Sequence, residues 1–382
     1  MPPVYFDYNA TTPLDPGVRE AMLPFLGDIW GNPSSVHQIG RRARALLDDA
    51  RNRVATVLGA KPSEVVFTSG GTESNNLAIF GSARHLRAKG RHLITSTIEH
   101  HAVLQCFQYL ERHEGFTVTY LPVDAVGQVS VSAVERALRP DTTLVSVMAA
   151  NNELGTLQPV AEIGALCRAR GVVFHTDAVQ VFGKLPFTGI GQFNANLVSI
   201  CAHKFHGPKG AGALYIRSPL LPDPIVFGGA HENERRAGTE NLPAIIGFTE
   251  ATERFLRSPV FPPERMWSLT RRLHELIAPL LGVTIRGSQA DRLPNTMALS
   301  VTGCDSIVLM AGLDLKNICA SSGSACSAGS LEPSHVLLAL GVADAEANSL
   351  IRFSLGRDST AAEVERVGRV LPEIIARIRG SE

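Results

Sequence analysis

The sequence predicts an α/β protein that is built around a mostly parallel sheet, with a second, smaller α/β unit toward the C-terminus. Between about residues 60 and 220, short apolar runs alternate with helix-like segments, which is the pattern of strands joined by helices. Most of these runs are apolar almost throughout, as expected for strands covered on both faces. After about residue 255 the pattern changes, and the proline-rich segment SPVFPPERMWSLT begins a second region.

Seven apolar runs are predicted strands: EVVFTS (64–69), RHLITST (91–97), FTVTYLPV (116–123), TLVSVMAA (143–150), GVVFHTDA (171–178), LVSICAH (197–203) and GALYIR (212–217). Helix-like spacing is found in TESNNLAIFGSARHLRAKG, SAVERALRP, VAEIGALCRARG, WSLTRRLHELIAPLL and TAAEVERVGRVLPEIIARIRG. We expect a large domain over residues 15–255 and a small domain over residues 256–382, with the N-terminal segment 1–14 joining the small one.

The charge balance argues against a polyanionic partner. The chain of 382 residues has 36 Lys+Arg and 36 Asp+Glu, so its formal net charge is zero and no global field attracts nucleic acid or an anionic membrane. We find neither an uninterrupted apolar stretch of about 18 residues nor a signal-peptide pattern at the N-terminus. We therefore expect a cytoplasmic protein with no membrane partner and no direct nucleic-acid contact.

Five of the six cysteines fit a role as scattered free thiols, since the sequence has no CxxC pair. Cys106 and Cys167 fall in helical patterns, and we assign both to packing. Cys326 differs, because it lies among small residues in ASSGSACSAGSLEPSH (320–335). The stretch could be a linker or an inert turn, and Ser334 after it is predicted to cap a helix.

Three polar stretches directly follow predicted strands. In TSGGTESNNLAI, glycines precede a helix whose first N–H groups could bind an anion at Gly71 and Thr72, although neither common nucleotide-binding glycine pattern is present. Asp177, in FHTDAVQ, ends a buried strand, where α/β proteins place ligands, although a lone aspartate is often a helix cap. Lys204, in CAHKFHGPKG, is a candidate amine nucleophile, while solvated lysines are the common alternative.

Together these stretches meet the requirements of pyridoxal 5′-phosphate: an anion site for phosphate, a carboxylate for the ring nitrogen and an amine for covalent attachment. IEHHAVL adds His100 and His101, of which one could stack on the ring and act as acid and base. We expect no metal site, because adjacent histidines diverge and no further ligands follow at zinc-like spacing. AANNELG (149–155) adds amides at another strand end, where they could also be turn formers.

These blocks make the chain similar to a known family. With YFDYNATTPL, GNPSSVHQIGRRAR, ANNELGTLQP, RRAGTEN, SSGSACSAGSLEPSHVL and IRFSLGR, they resemble, in order and over nearly the whole length, the cysteine desulfurases in the class V aminotransferase group. The resemblance implies the aspartate-aminotransferase-like fold, called fold type I, and pyridoxal phosphate as cofactor. The Cys326 block is similar to the long-loop branch, whose members feed iron–sulfur assembly, including nitrogenase maturation, and tRNA thiolation.

The resemblance implies a role for each site residue. Lys204 would hold the cofactor and move the proton of the substrate α-carbon, while His100 would stack on the ring as acid and base. The remaining cofactor contacts would be made by Asp177 at the pyridinium nitrogen, Gln180 at the phenolic oxygen, Asn152 beside the ring, and Gly71, Thr72, Cys201 and His203 at the phosphate. Thr239 would reach the phosphate from the partner subunit of a homodimer. Arg352 would bind the substrate carboxylate through two parallel hydrogen bonds, with help from Asn32.

The implied reaction removes sulfur from L-cysteine. The Cys326 thiolate would attack the substrate sulfur, leaving a persulfide and alanine, and the small residues of loop 320–333 would let it reach an acceptor protein of the iron–sulfur scaffold or tRNA-thiolation type. The alternatives are a selenocysteine lyase or an aminotransferase of the same fold, and more remotely a non-enzymatic sulfur carrier. Cys201 stands where many relatives carry serine, and Asn233 and Glu234 replace a more usual Arg-Gly in the loop near Thr239.

Overall fold

The computed structural model describes residues 2–323 and 333–380. Its strands are β1 (Val4–Tyr5), β2 (Val65–Thr68), β3 (His92–Ser96), β4 (Thr117–Leu121), β5 (Thr142–Ser146), β6 (Val173–Asp177), β7 (Leu197–Cys201), β8 (Gly212–Ile216), β9 (Val283–Arg286), β10 (Thr296–Val301), β11 (Ile318–Cys319) and β12 (Ile351–Ser354). Its α-helices are α1 (Pro16–Met22), α2 (Gln38–Leu58), α3 (Gly71–Leu86), α4 (His101–His113), α5 (Val131–Ala137), α6 (Val160–Ala169), α7 (Leu242–Phe255), α8 (Pro263–Ile277), α9 (Ser306–Asp314), α10 (His335–Ala339), α11 (Asp344–Ala347) and α12 (Ala361–Arg379).

The large sheet has the strand order β2-β8-β7-β6-β5-β3-β4, and each of the seven predicted apolar runs overlaps one of its strands. Every neighbouring pair is parallel except the two that involve β8. The predicted mostly parallel sheet is therefore confirmed. Because β8 is antiparallel to both β2 and β7, these two strands run in the same direction as β3, β5 and β6, and their carboxyl ends lie at one edge.

The helices of this region cover the apolar faces of the sheet. Helix α3 contacts β5, β6, β7 and β8, and α2 packs against α7. Gly59 ends α2 with a φ of 67°, a left-handed conformation that glycine adopts at no steric cost. Cys106 in α4 and Cys167 in α6 are buried in the apolar core, so their assignment to packing is confirmed.

The C-terminal part has its own antiparallel sheet of order β12-β10-β9. Helix α12 packs against α8 and α9, and the two predicted C-terminal helices are thus present as α8 and α12. Strand β1 pairs in parallel with β11, and Asp7 forms a bridge with Ser354 beside β12. The N-terminal segment therefore lies with C-terminal elements and crosses from there toward the large sheet.

Helix α10 begins as predicted, because Ser334 Oγ accepts a hydrogen bond of 3.2 Å from the Leu337 amide. Cys326 and most of its loop lie outside the described residues. None of the helices in the described ranges combines the length and the apolar character that crossing a lipid bilayer requires.

Candidate active site

A cavity of about 210 Å³ opens at the edge where the carboxyl ends of the parallel strands meet. Ten of the predicted site residues line it: Gly71, Thr72, His100, Asn152, Asp177, Gln180, Cys201, His203, Lys204 and Arg352. The other lining residues are Asn9, Ala10, Asn75, Met148, Ala150 and Val179. Strand direction explains this convergence, because the residues that follow several parallel strands share one edge of a sheet.

Lys204 lies in a short 3₁₀ turn, Ala202–Lys204, directly after β7. Its Nζ donates hydrogen bonds of 2.8 Å to the carbonyl oxygens of Asn9 and Ala10. The N-terminal segment thus crosses the mouth of the strands and holds the amine inside the cavity.

Asp177 is the last residue of β6 and is 7% exposed. Its Oδ2 accepts a hydrogen bond of 2.7 Å from Asn75 Nδ2, and its Oδ1 accepts one of 3.0 Å from the Val179 amide. Both donors fix the orientation of the carboxyl group, which lines the cavity. Asn75 lies in α3, so this helix and β6 build the acidic end of the site together.

His100 caps the N-terminus of α4, since its Nδ1 accepts a hydrogen bond of 3.0 Å from the Ala102 amide. The neutral ring therefore carries its proton on Nε2. Burial lowers the pKa of His100, the Asp177 carboxylate opposes this change, and the Lys204 charge adds to it. A neutral imidazole at the wall of the cavity is a group that can both accept and return a proton.

The N-terminus of α3 forms the anion-binding end. Gly70 precedes it with a φ of 153°, and a Cβ added at Gly71 would lie 2.8 Å from Val179 Cγ2. Only glycine fits this approach of the backbone to the cavity, where the first N–H groups of the helix are available to an anion. Cys201 lies beside this turn, and burial raises the pKa of its thiol, so the group there is a neutral S–H.

His203 also lines the cavity. Its Nδ1 lies 3.1 Å from Thr11 Oγ1, and burial lowers the pKa of His203 to about 3. The ring is therefore neutral at physiological pH and acts as a hydrogen-bonding group rather than as a cation.

Arg352, in β12, is 1% exposed and reaches the cavity from the small sheet. One terminal nitrogen donates 2.9 Å to the Asn152 carbonyl oxygen, and the other pairs at 2.8 Å with Asp7 Oδ1. Its Nε meets no hydrogen-bond partner among the described residues. A buried guanidinium with an unsatisfied donor beside a cavity suits a carboxylate ligand.

The sequence of this chain is similar to that of known enzymes. The Aminotransferase class-V family model matches residues 4–367. A cysteine desulfurase IscS of Methanosarcina thermophila is 46% identical over 376 residues, which cover 98% of this chain and 93% of that protein. The chain belongs to the cysteine desulfurases of the class-V aminotransferase family.

Solved structures agree with this assignment. A NifS-like protein has a TM-score of 0.91 at 38% identity, with 98% of this chain and all of that chain covered. SspA in complex with cysteine has a TM-score of 0.81 at 38% identity, with 94% of this chain and 100% of that chain covered. The expected fold type I architecture is therefore confirmed, and the chain is a pyridoxal-phosphate-dependent enzyme.

The cavity of this cysteine desulfurase has a donor set that fits the cofactor. The amine of Lys204, the hydrogen-bonded carboxylate of Asp177 and the helix N-terminus at Gly71 are the three kinds of group that pyridoxal phosphate requires. The close approach at Gly71 and the two hydrogen bonds that orient the Asp177 carboxyl group are features of a built ligand site.

Two predicted site residues that the structure describes, Asn32 and Thr239, do not line this cavity. Asn32 is exposed, and its Oδ1 accepts a hydrogen bond of 2.8 Å from the Ser34 amide. Thr239 is exposed and lies in a separate, smaller cavity with Ser69 and Arg236. Cys326 lies outside the described residues.

Sequence reasoning missed Asp7, Asn9 and Asn75. Asp7 and Asn9 fall in the YFDYNATTPL block, which contributes to the family resemblance but has no pattern that marks a site. Asn75 falls in TESNNLAI. Their sequence distances to their partners are long, since Asp7 pairs with a residue 345 positions away. A local pattern gives no sign of such contacts, and only the block resemblance could have marked these residues.

Proposed function

We propose that this cysteine desulfurase removes the sulfur of free L-cysteine, leaving alanine and a persulfide on Cys326. The observation that carries the proposal is the convergence of Lys204, Asp177 and His100 with the α3 N-terminus in one cavity. It is supported by the family and by the cysteine that is bound to the related SspA. When bound, pyridoxal phosphate supplies an electron sink that makes the α-carbon acidic and the bond from β-carbon to sulfur labile.

Each proposed role follows from a contact of this chain. Lys204 would hold the cofactor through Nζ and would move the proton of the substrate α-carbon. His100 would face the cofactor ring and exchange protons through Nε2, because its Nδ1 is occupied by the Ala102 amide. Asp177 holds the proton of the ring nitrogen, a role that the donors on its two oxygens support.

The remaining contacts orient the bound molecules. Gly71, Thr72, Cys201 and His203 would hold the phosphate, Gln180 would donate to the phenolic oxygen, and Asn152 would contact the ring from the wall of the cavity. Arg352 binds the substrate carboxylate, for which its buried guanidinium is suited.

The sulfur transfer needs no external oxidant, because the electrons that Cys326 and the substrate sulfur lose are taken up by the substrate carbon. The Cys326 thiolate forms an S–S bond to the substrate sulfur while the bond from carbon to sulfur breaks. The electron pair of that bond stays on the substrate β-carbon, which takes up a proton and is released as part of alanine. The oxidised sulfur remains on Cys326 as the persulfide.

The test is an incubation of the purified protein with L-cysteine and pyridoxal phosphate, with alanine and sulfide assayed together. We expect equal amounts of both products in the presence of a reductant, and loss of both in Lys204→Ala and Cys326→Ser. Cys319→Ser is the matched control, because this thiol is only partly buried and lies near the same loop, and it should retain activity. Amino-group transfer that survives in Cys326→Ser without sulfide release would contradict the proposal and favour an aminotransferase.

We also propose a homodimer in which Thr239 of the partner subunit completes the phosphate site. Support comes from the exposure of Thr239 and of large apolar side chains, among them Trp30 at 71% and Phe227 at 82%. Light scattering should give twice the mass of one chain, and Thr239→Ala should weaken cofactor binding without changing that mass. A monomeric active enzyme would contradict this arrangement.

We also propose that the chain consists of two domains. A division of the chain into a large domain, residues 15–255, and a small domain, residues 256–382 with 1–14, is supported by the separate three-stranded sheet and by the pairing of β1 with β11.

We infer that the persulfide is delivered in the cytoplasm to an acceptor protein of iron–sulfur cluster assembly or tRNA thiolation. The free thiols of the five cysteines that the structure describes support a reducing compartment.

A further inference from the structure

Lys184 is a fully buried lysine that the proposed reaction does not use. It follows β6, and its Nζ donates 2.6 Å to Gln180 Oε1 and 2.7 Å to Asn9 Oδ1. The same Nζ lies 5.7 Å from the ring centroid of Phe261. Burying an amine is unfavourable unless its hydrogens are bonded, so these two acceptors define what the side chain does there.

The Gln180 amide has a single orientation that satisfies its neighbours. Its Nε2 donates 3.1 Å to the main-chain oxygen of Asn9, which can only accept. Its Oε1 is therefore the atom that faces Lys184. The amide nitrogen carries a second hydrogen, which can serve an acceptor in the cavity that Gln180 lines.

We propose that Lys184 is a positioning residue that holds the Gln180 amide with its nitrogen directed to the phenolic oxygen of the cofactor. The inference rests on the proposed function, since the role of Gln180 belongs to it. Without Lys184, the amide oxygen is left buried without its donor, and rotation of the amide to recover a partner takes the nitrogen away from the cavity.

The same lysine also steadies the residue that holds Lys204. The Asn9 side chain is fixed by Lys184 and by Asn295 Nδ2 at its oxygen, while its main-chain oxygen accepts from Lys204 Nζ. Asn9 keeps its hydrogen bonds with Asn295, Asn152 and Thr296 when Lys184 is replaced, so the loss of Lys184 should act through Gln180 and not through Lys204.

The charges around Lys184 do not change this role. Burial lowers the pKa of Lys184 well below its usual range, and the charges of Lys204 and Arg352 lower it further. The other titratable groups that line the cavity are Asp177, His100, His203 and Cys201. A neutral amine and an ammonium group both carry the two hydrogens that Gln180 and Asn9 accept.

The test is Lys184→Met in the cofactor-loaded enzyme. Because the phenolic oxygen loses a directed donor, we expect the pH midpoint of the cofactor absorbance band to rise by about one unit and the dissociation constant of pyridoxal phosphate to rise about tenfold. Lys184→Gln keeps N–H donors and should show a smaller shift, and it replaces Lys184→Met if that variant fails to fold by circular dichroism.

A double-mutant cycle identifies the route of the effect. Gln180→Ala should shift the midpoint by itself, and adding Lys184→Met to it should produce no further shift. Asn295→Ala is the matched control, because it removes another donor to Asn9 Oδ1 but does not touch Gln180, and its midpoint should equal that of the wild type.

A folded Lys184→Met with wild-type midpoint and affinity would overturn the inference, and so would additive shifts in the double variant, which would indicate a direct effect of charge. Failure of the proposed function is distinguishable from either result. It would appear in the wild type, as a missing cofactor band or as a band without alanine formation from L-cysteine.

Discussion

At the scale of single residues, Arg352 is held before any substrate arrives. Asp7 and the Asn152 carbonyl oxygen fix its two terminal nitrogens, and Nε is the donor that finds no partner among the described residues. The planar fork of guanidinium makes such fixed, directed contacts, which an ammonium group on a flexible stem does not reproduce. The identity of this residue, and not its charge alone, should therefore set the affinity for the substrate carboxylate.

We predict that Arg352→Lys raises the KM for L-cysteine about 10-fold to 100-fold, because hydrogen bonds to a charged group contribute about 1.5–3 kcal/mol. Steady-state alanine formation measures this change, and the cofactor absorbance band should persist. Arg286→Lys is the control, since Arg286 lies in the same small sheet but bonds to Ser300. An unchanged KM in Arg352→Lys would contradict the assignment.

At the scale of elements, the end of β2 and the start of α3 form one unit. The strand delivers Thr68 to the edge where the other strands end, and the turn at Gly70 then directs the α3 N-terminus into the cavity. Asn75, one turn farther along α3, supports Asp177. One helix therefore serves the anion-binding end and the acidic end of the site, so a shift of α3 would disturb both.

Gly71→Ala should weaken the binding of pyridoxal phosphate about tenfold or more, because the added Cβ meets Val179 Cγ2 and overpacking of this kind costs about 1–3 kcal/mol. Fluorescence titration of the apoenzyme with the cofactor measures the dissociation constant. Gly191→Ala is the matched control, since a Cβ there meets nothing within 4 Å. Equal affinities for the two variants would show that the close approach at Gly71 has no role.

At the scale of the whole molecule, several histidines are buried as neutral groups. His175 lies in the middle of the large sheet between Ser146 Oγ at 2.8 Å and Ser199 Oγ at 3.0 Å, and burial lowers its pKa to about 3. Burial also lowers the pKa of His206 to about 4. Since the unfolded chain binds protons at these groups below about pH 6.5, the folded state loses stability as the pH falls.

The contribution of His175 can be isolated. Between pH 7.5 and pH 5.5, the free energy of unfolding that His175 contributes should fall by about 1.4 kcal/mol. The stability difference between wild type and His175→Gln should therefore shrink by that amount, as measured by urea unfolding of the cofactor-loaded enzyme. A constant difference for His175→Gln would mean that the pKa of this ring is the same in the folded and unfolded protein, and would contradict the prediction.

Local sequence patterns were enough to predict the site residues that lie at or after the ends of strands. Asp177, Lys204 and His100 each follow an apolar run, and the rule that parallel strands end at one edge brings them together. Lys184 could not be predicted in this way, because QVFGKLP has no periodicity that marks a buried amine. Its partner Asn9 is 175 residues away, and contacts of that kind depend on how the two sheets meet.

The pairing of Asp7 with Arg352 also has a consequence for synthesis on the ribosome. Asp7 leaves the ribosome well before Arg352, because the guanidinium that meets it is 345 positions later. Until Arg352 has been made, the nascent protein can form the large sheet and still lack a complete cavity. Productive capture of the cofactor with substrate therefore requires the synthesis of Arg352, which prevents sulfur chemistry on a shorter nascent polypeptide.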